Sequence, residues 1–80
     1  MTDITRQDID EVLAGLWEKD YRKHQVGDDS VDPLDIYADA AMALDMMTRA
    51  DIPLEELVPS EKDRKKLSDY AALAQPYDSG

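Results

Sequence analysis

Eighty residues carrying nineteen acids, nine bases and a net charge of −10 make one small domain, with a single core and no enclosed substrate pocket of ordinary enzyme size. The absence of cysteine excludes disulfides, thiolate zinc clusters and thiol nucleophiles. With a pI near 4.2 the chain is repelled by phosphate backbones and anionic membranes, so direct nucleic-acid binding is not expected.

An apolar share of 42% is enough for a packed interior rather than wholesale disorder. No apolar run approaches the roughly 18 residues that a bilayer span needs. The opening MTDITRQDID lacks the basic and then apolar pattern of a signal peptide, and a cytoplasmic location is expected.

The first helix is expected from about Arg6 to about Lys23, ending before Gly27. Ile9, Val12, Leu13, Leu16 and Trp17 have the spacing of one apolar helix face. Thr5 with Asp8 forms a variant capping box, and Ile4 with Ile9 occupies the staple positions. Lys19, Arg22 and Lys23 suit the negative pole of that helix. His24, with no second histidine in the chain, reads as a solvated helix-end residue rather than a metal or acid–base centre.

The stretch GDDSVDPLDIYAD, Gly27 to Asp39, holds five aspartates. Read as a calcium loop from Asp28, it places Pro33 where a glycine with positive φ is required, and Asp35 where an apolar residue belongs. A helix start explains the pattern better. Asp32 caps, Pro33 takes the first helical position, Asp35 falls three residues after the cap, and Val31 with Ile36 repeats the staple. This second helix is expected to bury Ile36, Tyr37, Ala40, Ala41, Leu44 and Met47 and to stop near Ala50. Trp17 and Tyr37 are read as core residues rather than ligand platforms.

In ADIPLEELVPS, Pro53 and Pro59 bracket a short helical turn over Leu54 to Val58. Ser60 with Asp63 starts a last helix whose stripe is Leu67, Tyr70, Ala71 and Ala74, and which Pro76 stops. Its run EKDRKK, with interleaved acids, reads as a solvated face with a Glu61–Lys65 pair. The expected architecture is all-α: a small three-helix bundle with a short extra helix between the second and third helices. Residues 1–75 form the single helical domain and 76–80 a frayed tail. No catalytic or metal-ligating constellation and no cofactor motif is found. Adjacent carboxylates such as Asp10/Glu11 and Glu55/Glu56 diverge on a helix.

Charge is unevenly placed. From Gln25 to Ser60 nine acids face a single base, Arg49. Rotation at about 100° per residue turns Asp35, Asp39, Met42, Asp45, Met46 and Arg49 outward on the second helix. Either Met42 and Met46 pack beneath the short helix around Leu54 and Leu57, or, exposed between carboxylates, they give an apolar centre with an acidic rim, the layout of a protein interface. Asp35 and Asp39 lie roughly 6 Å apart, close to the spacing of successive phosphates. Asp28, Asp29, Asp32, Asp45, Asp51, Glu55 and Glu56 extend that display; the expected binding acids are Asp28, Asp29, Asp35, Asp39, Asp45, Glu55 and Glu56, with Met42 and Met46 as apolar anchors. The expected partner is a protein with a cationic surface, and the chain itself is a monomer or homodimer.

The short, acidic, cysteine-free chain around GDDSVDPLDIYADA resembles the small inhibitors encoded by phages and mobile elements, anti-CRISPR proteins among them. The resemblance lies in composition. It implies a non-enzymatic inhibitor that binds a CRISPR surveillance complex or effector nuclease and blocks target-DNA recognition. The alternative is a helical interaction module of the adaptor, antitoxin or immunity type.

Overall fold

The computed structural model describes residues 3–74. They form α1 (Arg6–Tyr21), a π-helical turn (Arg22–Val26), α2 (Pro33–Ala50), the single-turn α3 (Leu54–Leu57) and α4 (Glu61–Leu73). The chain is a small all-α bundle of three principal helices with a short helix between α2 and α4, as expected. Pro76 and the tail 76–80 lie outside the described residues. Among the described residues no helix is long and apolar enough to cross a membrane.

Each principal helix starts where its cap dictates. Thr5 Oγ1 accepts from the Asp8 N–H at 3.2 Å, and Asp8 returns a carboxylate to the Thr5 N–H at 3.1 Å, completing the capping box. Asp32 Oδ1 accepts from the Leu34 N–H at 2.9 Å with Pro33 at the first helical position. Ser60 Oγ accepts from the Asp63 N–H at 3.4 Å. The ends follow equally local rules. The widened turn after α1 closes at Gly27, whose φ of 79° puts it in the left-handed region, and the N–H groups of Gly27 and Asp28 both donate to the Arg22 carbonyl. α2 ends at Asp51, the one non-glycine residue with positive φ (59°) among those described.

α2 is the central element and packs against both α1 and α4. The core takes Ile9, Leu13 and Leu16 from α1, Ile36, Ala40, Ala43 and Met47 from α2, and Leu67 and Ala71 from α4, closed by Val31 and Val58 from the connections. The buried arc of α2 is turned from the expected one. Ala43 is buried, whereas Tyr37, Ala41 and Leu44 are only half-buried. At about 100° per residue the buried face is displaced by about 40° towards Asp39 and Met46. The cause is the second neighbour: a helix between two others buries an arc that bisects them, and only the α4 side is marked by large side chains. Ala40 and Ala43, both fully buried, set how closely the helices approach.

The link into α4 is held by Arg64, whose Nη1 donates to the carbonyls of Val58 at 3.1 Å and Pro59 at 3.0 Å. The expected Glu61–Lys65 pair is replaced by Lys65 with Asp69 at 3.6 Å, the next i, i+4 neighbour. That places the cation deeper in α4 and leaves Glu61 in the first turn, where the positive pole of the helix favours an acid.

Because the helices meet over alanine, Ala40→Leu overpacks the contact and is expected to lower stability by about 1–3 kcal/mol. Ala38→Leu on the exposed side of the same helix stays within about 0.5 kcal/mol. Urea unfolding followed by helical circular dichroism checks both.

Candidate functional site

The outer face of α2 carries a row at i, i+4 spacing, Leu34, Ala38 and Met42, all exposed. Leu34 is 63% and Met42 49% accessible; Tyr21, Val26 and Leu73 are exposed to a similar degree, but only Leu34 and Met42 share one helix face. Asp35 and Asp45 border the row and are exposed as well. Met46 does not join it. The 40° rotation carries Met46 inward, where it is half-buried against the core, so only one of the two methionines expected outside is available. Leu34, in the first turn of α2, was not among the expected anchors.

Four of the seven expected binding acids are engaged within the chain. Asp39 accepts from Lys19 Nζ at 2.8 Å and lies half-buried between α1 and α2 rather than facing out. That hydrogen bond, opposed by partial burial and aided by the charges of Asp39 and Asp35, holds the Lys19 ammonium above the usual lysine range. Asp45 accepts from Arg49 Nε at 2.9 Å, and Glu56 from Arg6 Nη1 at 3.2 Å. Asp28 is a loop brace. Its Oδ1 accepts from the Ser30 hydroxyl at 2.6 Å and the Ser30 N–H at 2.9 Å, and its Oδ2 accepts from Arg22 at 3.1 Å. The Ser30 bonds, with Arg22 added, draw the Asp28 pKa below its ordinary 3.8. Asp29, Asp35 and Glu55 are exposed, and among the described residues their carboxylates make no hydrogen bond or ion pair. Of the five aspartates from Gly27 to Asp39, then, Asp28 braces, Asp32 caps, Asp39 ties two helices, and Asp29 and Asp35 face solvent unpaired.

The most connected polar group is one that the sequence reading passed over. Asp20 is 7% accessible, the only buried charged residue among those described. Its Oδ1 accepts from the Tyr70 hydroxyl at 2.6 Å and from His24 Nδ1 at 2.7 Å, and its Oδ2 accepts from Lys66 Nζ at 3.3 Å. His24 Nδ1 also faces the Asp20 carbonyl at 3.2 Å, so both partners are acceptors and this nitrogen carries the proton. The histidine is therefore tied into the bundle rather than merely solvated. Burial alone pushes the Asp20 carboxyl up; the bonds from Tyr70, His24 and Lys66 together outweigh it, and the pKa lies below 3.8. Burial first, and then the Asp20 carboxylate, push the Tyr70 phenol well above the ordinary tyrosine range. The Tyr70 ring leans on Tyr37, centroids 5.6 Å apart at 42°. A signal for Asp20 was present: Ile9, Leu13, Leu16 and Asp20 continue one stripe at helical spacing, with His24 four residues on.

The notable concavity lies elsewhere, an open cleft of about 460 Å³ between the end of α2 and α3. Leu44, Met47, Ile52, Pro53 and Leu54 wall it, and Asp51 and Thr48 supply its polar edge. Among the described residues no three histidine or carboxylate side chains converge as metal ligands. Comparison with protein-family models, with curated proteins and with solved structures found no match.

The direction of the Asp20 shift fixes a pH dependence. Its stabilising contribution is present in full above pH 3.8 and is lost as pH falls through the lower, folded-state value. Asp20→Asn is expected to cost about 1–3 kcal/mol at neutral pH, with the difference from the parent shrinking as pH drops below 3.8. Urea midpoints across an acid series measure it. Asp51 is disfavoured twice, by its left-handed backbone and by its charge at the negative end of α2. Asp51→Asn keeps a residue tolerant of that backbone and removes the charge, so stability is expected to rise by about 0.3–1 kcal/mol in thermal unfolding at low salt.

Proposed function

We propose that the protein is a non-catalytic inhibitor that docks on a cationic protein surface through the outer face of α2 and occludes a nucleic-acid-binding groove there. The observation that carries this reading is the exposed row Leu34, Ala38 and Met42 bordered by Asp35 and Asp45. An apolar row supplies area to bury, and the acidic border selects a basic partner and speeds encounter. The net charge of −10 acts in the same direction at long range. The compositional resemblance to anti-CRISPR inhibitors makes a CRISPR surveillance complex or effector nuclease one such partner.

A second reading, a helical adaptor or immunity-type module whose partner binds no nucleic acid, is favoured by the ion pairs. Asp28, Asp39, Asp45 and Glu56 each hold a base of the same chain. Carboxylates neutralised in this way imitate a phosphate backbone less fully than bare ones, and they shift affinity towards Leu34 and Met42. Asp29, Asp35 and Glu55 remain as the acids best able to imitate phosphates.

Both readings make Met42→Asp weaken capture of the partner from a cell extract by about tenfold or more, as expected for a central apolar anchor. They part on charge. Under groove occlusion, Asp35→Lys weakens binding to a similar extent, and added duplex DNA releases the partner. An adaptor keeps its partner in the presence of DNA and tolerates Asp35→Lys. Unchanged capture by Met42→Asp rules out the α2 face in either case.

A further inference from the structure

The cleft between α2 and α3 combines three features, beyond the packing of its wall residues against the core and the helix-end position of Asp51. Its walls are apolar, from Leu44 and Met47 on α2 to Ile52 and Leu54 beyond it. Its polar edge carries one charged group, beside the Thr48 hydroxyl, which donates to the Leu44 carbonyl at 3.1 Å and can still accept. That group is Asp51, exposed and in no ion pair among the described residues. Asp51 also stands at the negative pole of α2, where the only base of the last turn, Arg49, is turned to Asp45 at 2.9 Å. An aliphatic trough therefore ends in an uncompensated negative charge.

We propose that this cleft seats an arginine side chain of a partner protein. The three methylenes of arginine lie along Leu44, Ile52 and Leu54, as long basic side chains do on apolar surface. The planar guanidinium meets the Asp51 carboxylate and the negative end of α2, a pairing for which arginine suits better than the more strongly hydrated lysine. A second copy of this chain is a poor occupant. Its arginines are committed: Arg6 to Glu56, Arg22 to Asp28, Arg49 to Asp45 and Arg64 to the Val58 and Pro59 carbonyls. Two chains of charge −10 also repel. The choice of aspartate becomes intelligible, since a left-handed helix end is served at least as well by glycine or asparagine, and neither offers an anion.

This inference deepens the reading of a basic protein partner by naming one of its side chains. It uses a surface other than the Leu34–Met42 row, and its test involves no partner, so the two fail separately. The intact, ¹⁵N-labelled chain is titrated with the capped tripeptide acetyl-Ala-Arg-Ala-amide, and with the same peptide carrying norleucine in place of arginine. The arginine peptide is expected to shift amides between Thr48 and Leu54 and to bind about two- to fivefold more tightly than the norleucine peptide, the scale of one exposed ion pair. Asp51→Asn removes that preference, while Asp69→Asn, which makes the same change in net charge on α4, leaves it in place. The inference is overturned by equal binding of the norleucine peptide, by undiminished binding to Asp51→Asn, or by shifts scattered over surface acids with none centred on the cleft.

Discussion

The rotation of α2 about its own axis decides what the rest of the molecule can present. Because α2 lies between α1 and α4, its buried arc must bisect two neighbours, and Ala40 and Ala43 let both come close. Everything on its surface follows from that angle. Asp39 is drawn into the α1 seam and meets Lys19, and Met46 follows it to the core. Tyr37 is left leaning on Tyr70 of α4. Leu34, Ala38 and Met42 are carried out to solvent. A rotation of about 40° the other way exposes Met46 and frees Asp39, giving a surface with more unpaired charge.

That angle marks the limit of what the sequence discloses. The three starts were legible because a cap acts within three or four residues: Thr5 with Asp8, Asp32 before Pro33, Ser60 with Asp63. Helix existence followed from apolar spacing on one chain. Rotation depends instead on a neighbour whose position no local pattern encodes, and alanines at positions 38, 40, 41 and 43 leave the apolar face of α2 nearly continuous around half its circumference. The large residues Tyr37 and Leu44 then pulled the expected face too far towards α4. Pairings across helices were hidden for the same reason. The five aspartates of the central stretch look alike in sequence, and they separate into brace, cap, cross-helix tie and free acid only when Lys19, Arg22 and Ser30 are brought beside them.

Asp20 shows why the small core still specifies one arrangement. Every hydrogen bond between α1 and α4 among the described residues ends on its carboxylate, from Lys66 and Tyr70. Apolar packing is indifferent to small slips along a helix, whereas a buried carboxylate with three donors loses their bonds at the first displacement. A fully satisfied group of this kind contributes register more than net stability, because its desolvation offsets much of the attraction. No buried side-chain nitrogen or oxygen among the described residues lacks a partner, so the tie carries no hidden penalty elsewhere.

The distribution of charge follows one logic. Among the described residues each lysine and arginine apart from Lys23 and Lys62 has a partner or, for Arg64, a pair of carbonyls. The acids outnumber them, and among the described residues unpaired carboxylates lie along α1 (Asp10, Glu11, Glu18), in the first turns of α2, α3 and α4 (Asp35, Glu55, Glu61), in the loop before α2 (Asp29) and at the end of α2 (Asp51). A surplus wanted for solubility alone could sit anywhere, and Asp51 is the informative exception. Backbone geometry there favours glycine or asparagine, and the helix pole repels an anion. A chain that keeps a carboxylate against both preferences, beside an apolar trough, places its excess charge where a basic side chain with an aliphatic stem gains contact and compensation together.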